Sequence, residues 1–290
     1  MSIIDLIGNT PLLQVEQKLF AKLEFFNPSG SIKDRASLFM LKDALSSGVL
    51  KLGGTVVEPT SGNTGIGLCM VAKALGLKMI CVMPENMSAE RIALIKAYGG
   101  EVVLTSAKLG MQGAVDKACE LTKNLGGFMP NQFSIYSNAK AHIETTAPEI
   151  FKQCPNAKWI VAGAGTGGTV VGIKQYIINN NINAKVCAVE PANSPLITKG
   201  FAGAHKIQGI GANFIPELLN LDIIDKVVDI TDDDAILGAN ILSKKYGILG
   251  GISAGASYMA SLQILKETNE NVVFIVPDTG LRYLSTGIFE

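Results

Sequence analysis

The chain has 290 residues, of which 48% are hydrophobic and 17% are charged, and its 25 basic residues balance 25 acidic ones. That length is enough to bury a large core, in one domain or in two. No basic tract is present, which argues against nucleic acid and membranes as partners, and the N-terminal segment lacks the basic start of a signal peptide.

The first half of the chain is predicted to alternate strands and helices, after a helix that begins near Ser31. In chain order, the next predicted elements are strand 55–58, helix 65–76, strand 78–83, helix 88–99, strand 101–105 and helix 111–125. Glycines at the helix ends and a candidate N-cap at Ser88 support these limits. Lys73 and Lys78 interrupt the most apolar stretch, which argues against a membrane span. The pattern predicts an α/β unit with a parallel sheet.

A second α/β unit is predicted downstream, with the boundary between residues 132 and 147. Its predicted strands cover residues 159–163, 185–190 and 271–277. One predicted helix follows the GAGTGGT sequence and ends near residue 178, and two others cover about residues 232–246 and 254–266. Residues 191–216 form a long irregular stretch rich in glycine, proline and asparagine. Such a segment in a folded domain is more often functional than not.

Three glycine-containing loops precede predicted helices: NPSGSIKDR at 27–35, PTSGNTG at 59–65 and GAGTGGT at 163–169. Loops of this kind present free backbone N–H groups, and the helix N-terminus adds partial positive charge, so each loop is a candidate anion site. Two such loops together with a lysine at a helix start indicate a cofactor that carries both a phosphate and an aldehyde. Pyridoxal phosphate has both groups.

Lys33 is the candidate nucleophile. Helix-start N–H groups and burial both disfavour the charged amine, and a neutral amine forms a Schiff base with an aldehyde. The alternative is an ordinary solvated lysine, which the flanking NPSGS motif and the apolar Ile32 disfavour. In PTSGNTG, the hydroxyls and the Asn63 amide suit a small carboxylate, whereas a plain capping loop would use only one of them.

The GAGTGGT loop also matches the GxGxxG pattern of dinucleotide-binding folds, and Glu190 follows where a ribose-binding carboxylate would lie. A nicotinamide-dependent oxidoreductase is therefore a distant alternative, although it leaves Lys33 and PTSGNTG without a role. Ser253, in GGISAGAS, is either a partner for a ring nitrogen or a helix cap.

The five cysteines are widely spaced and form no CxxC pair, and neither histidine has a metal-ligand neighbour at helical spacing. Free thiols in a reduced cytoplasm are expected, and no metal site is predicted.

The ordered motifs, from IGNTPL at 7–12 to PDTGLRYLST at 277–286, span nearly the whole chain. In this arrangement the sequence resembles the family of O-acetylserine sulfhydrylase (cysteine synthase) and cystathionine β-synthase, which are fold-type II pyridoxal-phosphate enzymes. The resemblance implies two three-layer α/β domains with mostly parallel sheets and an active site between them. The smaller, mobile domain would contain residues 37–140, and the larger one residues 1–36 and 141–290.

The resemblance also implies roles for individual residues. Lys33 would carry the cofactor and act as the general base, Asn63 would bond the 3′ oxygen, and Ser253 would face the pyridine nitrogen. The substrate carboxylate would be held by Thr60, Ser61, Gly62, Asn63, Thr64 and Gln132. The cofactor phosphate would be held by Gly165, Thr166, Gly167, Gly168 and Thr169.

The implied reaction is a β-replacement on a β-substituted alanine through an aminoacrylate, with cysteine formation from O-acetylserine and sulfide as the first choice. The alternative is a cysteine-consuming enzyme that releases hydrogen sulfide and yields serine, lanthionine or cystathionine. Asp229, where the main sulfhydrylases usually have glycine, is a candidate catalytic residue that would favour this alternative, and otherwise a surface residue at a strand end. A homodimer is expected, and the C-terminus of serine acetyltransferase is a further expected partner.

Overall fold

A computed structural model describes all 290 residues, Met1–Glu290, which form nine strands in two sheets. The strands are β1 (Leu12–Glu16), β2 (Leu19–Leu23), β3 (Thr55–Pro59), β4 (Lys78–Pro84), β5 (Glu101–Thr105), β6 (Trp159–Gly163), β7 (Lys185–Pro191), β8 (Lys226–Ile230) and β9 (Val272–Val276). The larger sheet has the order β1-β2-β9-β6-β7-β8, and the smaller one has the order β3-β4-β5. Only the β1–β2 pair is antiparallel.

Ten α-helices connect and cover these strands. They are α1 (Lys33–Ser46), α2 (Asn63–Ala74), α3 (Ala89–Ala97), α4 (Gly110–Leu125), α5 (Tyr136–Ala141), α6 (Ala147–Gln153), α7 (Gly168–Asn179), α8 (Leu196–Lys199), α9 (Asp232–Tyr246) and α10 (Ile252–Thr268). A π-helical turn over His142–Thr146 joins α5 to α6. No helix has the length and apolar composition needed to cross a membrane.

Helices lie on both faces of each sheet, as buried parallel strands require. On the larger sheet, α9 and α10 pack on one face, and α6 and α7 bury their apolar residues against the other. On the smaller sheet, α1 and α2 cover one face, and Ala114 and Ala118 of α4 pack against the other. The predicted α/β class with two mostly parallel sheets is confirmed. The assignment of residues 37–140 to a mobile domain stays a prediction.

The N-terminal hairpin of β1 and β2 and the helical stretch of α5 and α6 were not predicted. The hairpin turn places Lys18 in the left-handed region at φ +66° and contains no glycine, asparagine or proline, so the usual sequence signal is missing. β2 pairs with β9, more than 200 residues away along the chain, and that pairing brings the N-terminal segment into the larger sheet.

A buried ion cluster fixes α1 between β2 and α6. Arg35, one of the largest fully buried side chains, donates from Nε to Glu24 at 2.7 Å and from Nη1 to Glu149 at 2.6 Å. Lys22 of β2 lies 2.8 Å from the other oxygen of Glu149. The cluster therefore holds the start of α1, where Lys33 lies, in a fixed relation to the larger sheet.

Candidate active site

A cavity of about 860 Å³ opens between the two sheets, at the carboxyl ends of β3 and β6. This is where open parallel sheets bind their ligands. The PTSGNTG and GAGTGGT loops begin at those two strand ends, so the topology brings both to one cavity. Lys33, Ser253 and Gln132 also line it.

Lys33 is the first residue of α1, and its amine faces the cavity without a hydrogen bond or ion pair. Burial lowers the pKa of this amine to about 8, against an opposing effect of the nearby Asp278 carboxylate. Asp34 fixes the preceding loop, because it accepts hydrogen bonds from the backbone N–H and the hydroxyl of Ser29. The arrangement suits a lysine that must be partly neutral near physiological pH.

The PTSGNTG loop enters α2, and its side chains are held by partners outside the loop. Thr64 donates its hydroxyl to the side-chain oxygen of Gln132 at 2.6 Å. Asn63 donates to Asp278 at 2.7 Å and accepts from Arg282. The loop therefore presents hydroxyls and helix-start N–H groups to the cavity, which are donors that suit a carboxylate.

The GAGTGGT loop enters α7 and is shaped by close backbone contacts. Gly167 has φ +86°, and a Cβ on Gly165 would lie 2.4 Å from the carbonyl oxygen of Gly209. Thr166 accepts from Asn138 at 3.0 Å, and the Thr169 hydroxyl lies 3.3 Å from a ring nitrogen of His142. Only small residues leave room for this cradle of N–H groups at a helix start, which fits a phosphate.

Ser253 lies in the first turn of α10, is 3% exposed and lines the same cavity. Its hydroxyl has no hydrogen-bond partner within the protein, so it does not serve as a helix cap. A buried hydroxyl without a partner fits a ring nitrogen of a bound cofactor. Together with Lys33 and the phosphate cradle, Ser253 provides the set of contacts that pyridoxal phosphate needs.

Asp229 is the predicted site residue that the structure does not bring to the cavity. It lies near the end of the edge strand β8, where its side chain is 35% exposed and 2.6 Å from Lys199 Nζ. The hydrogen bond from Lys199 lowers the pKa of the carboxyl. This placement agrees with a surface residue at a strand end, and the catalytic role of Asp229 stays a prediction.

Glu190, on which the nicotinamide alternative depends, is also committed elsewhere. It is 1% exposed and accepts the backbone N–H groups of Ile197 and Thr198 and the hydroxyl of Thr198. Its carboxylate therefore caps the short helix α8 and is not free to bind a ribose.

Two residues that line the cavity, Asp278 and Arg91, were not singled out from the sequence. Asp278 is fully buried and bonded to Asn63 and to the Tyr283 hydroxyl, and burial raises the pKa of its carboxyl. Arg91 of α3 donates to Gln208 at 2.6 Å across the cavity mouth. Asp278 belongs to PDTGLRYLST, but nothing in the local pattern indicates that it turns toward α2.

Comparisons with known proteins agree with this geometry. The family model for pyridoxal-phosphate dependent enzymes matches residues 3–278. Cysteine synthase B of Campylobacter jejuni is 48% identical over 291 residues, which are 98% of this chain and 97% of that protein.

Two solved structures are similar over the whole fold. A hydrogen sulfide-producing enzyme from Fusobacterium nucleatum is 43% identical, with a TM-score of 0.91 over 97% of this chain and 99% of that one. A cysteine synthase from Entamoeba histolytica is 36% identical, with a TM-score of 0.95 over 99% of this chain and 90% of that one. The prediction of pyridoxal phosphate as the cofactor is confirmed, and the chain belongs to the pyridoxal-phosphate dependent enzymes, among the relatives of cysteine synthase.

Proposed function

We propose that this protein makes cysteine from O-acetylserine and sulfide by a β-replacement that depends on pyridoxal phosphate. The observation that carries the proposal is the unpartnered Lys33 amine in a cavity shared by a phosphate cradle and a carboxylate loop. The cysteine synthases of Campylobacter jejuni and Staphylococcus aureus, 48% and 43% identical, support the choice of reaction.

In this proposal, Lys33 holds the cofactor aldehyde, and the loop from Gly165 to Thr169 holds its phosphate. Asn63 would bond its 3′ oxygen, and Ser253 would face its ring nitrogen. When bound, the cofactor supplies an electron sink for the negative charge that develops at the substrate Cα. The Ser253 hydroxyl does not protonate the ring nitrogen as a carboxylic acid would, which favours loss of the β-substituent over racemisation or transamination.

The remaining steps fall to side chains of this chain. The hydroxyls of Thr60, Ser61 and Thr64, with the Gln132 amide, bind and orient the substrate carboxylate at the start of α2. Lys33 Nζ would accept the Cα proton as the general base. The low pKa of its amine serves this purpose, because a large part of it is neutral in mildly basic solution.

A product assay tests the proposal. Purified protein loaded with pyridoxal phosphate should form cysteine from O-acetylserine and sulfide, and the Lys33→Ala protein should form none. Borohydride reduction should fix the cofactor to the peptide that contains Lys33. No cysteine from O-acetylserine, or attachment to another lysine, would contradict the proposal.

A cysteine-consuming, hydrogen sulfide-releasing reaction is the second candidate. The hydrogen sulfide-producing relative from Fusobacterium nucleatum, 43% identical, favours it. Both reactions begin at the same lysine and the same carboxylate loop, so the assay must include cysteine as the sole substrate. Sulfide release from cysteine at a higher kcat/KM than O-acetylserine turnover would favour this candidate.

A homodimer, recognition of the C-terminus of serine acetyltransferase and a cytoplasmic location complete the proposal. All five cysteines are unpaired in the structure. Light scattering measures the mass in solution, and a peptide that ends like serine acetyltransferase should compete with O-acetylserine for the carboxylate loop.

A further inference from the structure

Glu58 is a buried carboxylate at the cavity to which neither the sequence motifs nor the proposed reaction gives a role. It lies on β3, immediately before the PTSGNTG loop, and is 1% exposed. No ion pair includes it. Its position at the edge of the smaller sheet raises the question of what a charge does there.

The segment that follows α4 runs beside β3 as a partial fourth strand. Phe128 exchanges backbone hydrogen bonds with Thr55 and Val57, at 2.9 Å each. Beyond that point the chain turns away, and Asn131 adopts a left-handed conformation at φ +54°. The backbone ladder therefore ends before the chain reaches Gln132.

Beyond the end of this ladder, the Glu58 carboxylate accepts the backbone N–H groups. One oxygen accepts the N–H of Asn131 at 2.9 Å, and the other accepts the N–H of Gln132 at 3.1 Å. The Gln132 side chain in turn accepts the hydroxyl of Thr64 at 2.6 Å. Two charge-assisted bonds thus fix the backbone from which the Gln132 amide projects.

We propose that Glu58 is a positioning residue for the substrate carboxylate, and that it acts through Gln132. The proposal rests on the proposed function, in which Gln132 binds that carboxylate. Ionised Glu58 holds both N–H groups, whereas protonation of one oxygen weakens this hold and loosens the Gln132 amide.

The surroundings of Glu58 leave its charge to be balanced by these N–H groups. Burial raises the pKa of the carboxyl to about 7, although the hydrogen bonds from Gln132 and Asn131 lower it. The neighbouring position on β4 brings the Cys81 thiol to the same face of the sheet, and α2 covers that face with the Cys69 thiol, 3.7 Å from Cys81 Sγ. The other titratable groups that line the cavity are Lys33, Arg91, Glu217, Asp278 and Tyr283.

Protonation of Glu58 could either weaken or strengthen the binding of a carboxylate, and the two outcomes distinguish two roles for Glu58. If Glu58 positions Gln132, carboxylate binding weakens as the pH falls through the pKa of Glu58. If Glu58 acts mainly as a negative charge near the substrate carboxylate, its protonation removes repulsion and binding becomes stronger.

The test uses the cofactor-loaded protein and propionate as a competitive inhibitor against O-acetylserine. Propionate has no amine to titrate, and it stays ionised above about pH 6. For the wild type, we expect the inhibition constant to rise about tenfold between about pH 8 and about pH 6, comparable to the loss of one hydrogen bond. The Glu58→Gln protein should bind propionate about tenfold more weakly at the higher pH and show no such rise.

The matched control is Glu101→Gln, an exposed glutamate at the start of β5, which should leave the constant and its pH dependence unchanged. Gln132→Ala should abolish the pH dependence even if Glu58→Gln does not fold, because Glu58 then has no amide to position. A wild-type constant that is flat or falls with falling pH would overturn the proposal, as would a Glu58→Gln protein that keeps the wild-type profile. If the Gln132→Ala protein has the same inhibition constant for propionate as the wild type at the higher pH, Gln132 does not bind the substrate carboxylate, and that part of the proposed function is wrong.

Discussion

The low pKa of Lys33 predicts when this protein can take up its cofactor. Burial lowers the value from 10.5 to about 8, which corresponds to roughly 3 kcal/mol in favour of the neutral amine. At pH 7 about one-tenth of the Lys33 amine is then neutral, compared with roughly one part in three thousand for an ordinary lysine. The reactive form is therefore more abundant by a factor on the order of a few hundred.

The assay is the rate of Schiff-base formation between cofactor-free protein and pyridoxal phosphate, followed by absorbance after rapid mixing. The rate should rise with pH and level off above about pH 8, because the neutral amine is the nucleophile. A small lysine derivative in the same buffers provides the matched control, since it corrects for ionisation of pyridoxal phosphate itself.

The same reasoning predicts an effect of Asp278 on the pH dependence of cofactor uptake. Its charge stabilises the protonated form of Lys33 and opposes the effect of burial. The Asp278→Asn protein should therefore show its midpoint at a lower pH than the wild type. The reasoning is refuted if the wild-type midpoint lies near the ordinary lysine value, or if Asp278→Asn moves the midpoint to higher pH.

Three further changes test other parts of the structure. Gly165→Ala should lose pyridoxal phosphate on dialysis while keeping its helical circular dichroism, because the new methyl group would lie 2.4 Å from the Gly209 carbonyl oxygen; retained cofactor would contradict the crowded cradle. Arg35→Ala should lower the free energy of unfolding in urea by about 3–5 kcal/mol, since it leaves the buried Glu24 carboxylate without its counter-charge, with only the neutral donors Thr10 and Asn27, whereas Lys117→Ala on the surface should cost below about 1 kcal/mol. Asp229→Gly should leave the turnover of O-acetylserine and of cysteine unchanged, because its carboxylate pairs with Lys199 outside the cavity; altered turnover of cysteine alone would restore a catalytic role.

The sequence predicted those elements of the fold whose ends are marked by residues close by in the chain. Strands 101–105 and 159–163 and helix 232–246 match the structure residue for residue, because apolar runs and flanking glycines mark their ends. The start of α1 lies two residues after its expected position, because Ile32 and not Ser31 forms the cap position. The hairpin of β1 and β2 was not predicted, since its turn lacks the residues that usually form tight turns and β2 pairs with a strand that is distant in the sequence.

In the candidate site as well, features that depend on neighbouring residues could be predicted, and contacts between residues distant in the sequence could not. The glycine loops could be identified from the sequence, because each needs small residues and polar donors within a few positions at a helix start. The contacts of Asp278 and Glu58 could not be predicted, because each residue bonds a segment more than 70 residues away and the motifs beside them do not indicate these partners. Asp229 shows the limit of a sequence position alone, because the sequence could not indicate that its side chain pairs with Lys199 outside the cavity.

The contacts around Asn138 join the phosphate loop to the segment that carries Gln132. Asn138 donates to the Gln132 carbonyl oxygen at 2.8 Å and to the Thr166 hydroxyl at 3.0 Å, so one amide bridges the Gln132 backbone and the phosphate loop. That amide has room only because residue 168 is a glycine, since a Cβ there would lie 2.2 Å from the Asn138 oxygen. The glycine of the phosphate loop therefore serves two purposes. It lets the backbone approach a phosphate, and it leaves space for the side chain that joins this loop to the residue expected to bind the substrate.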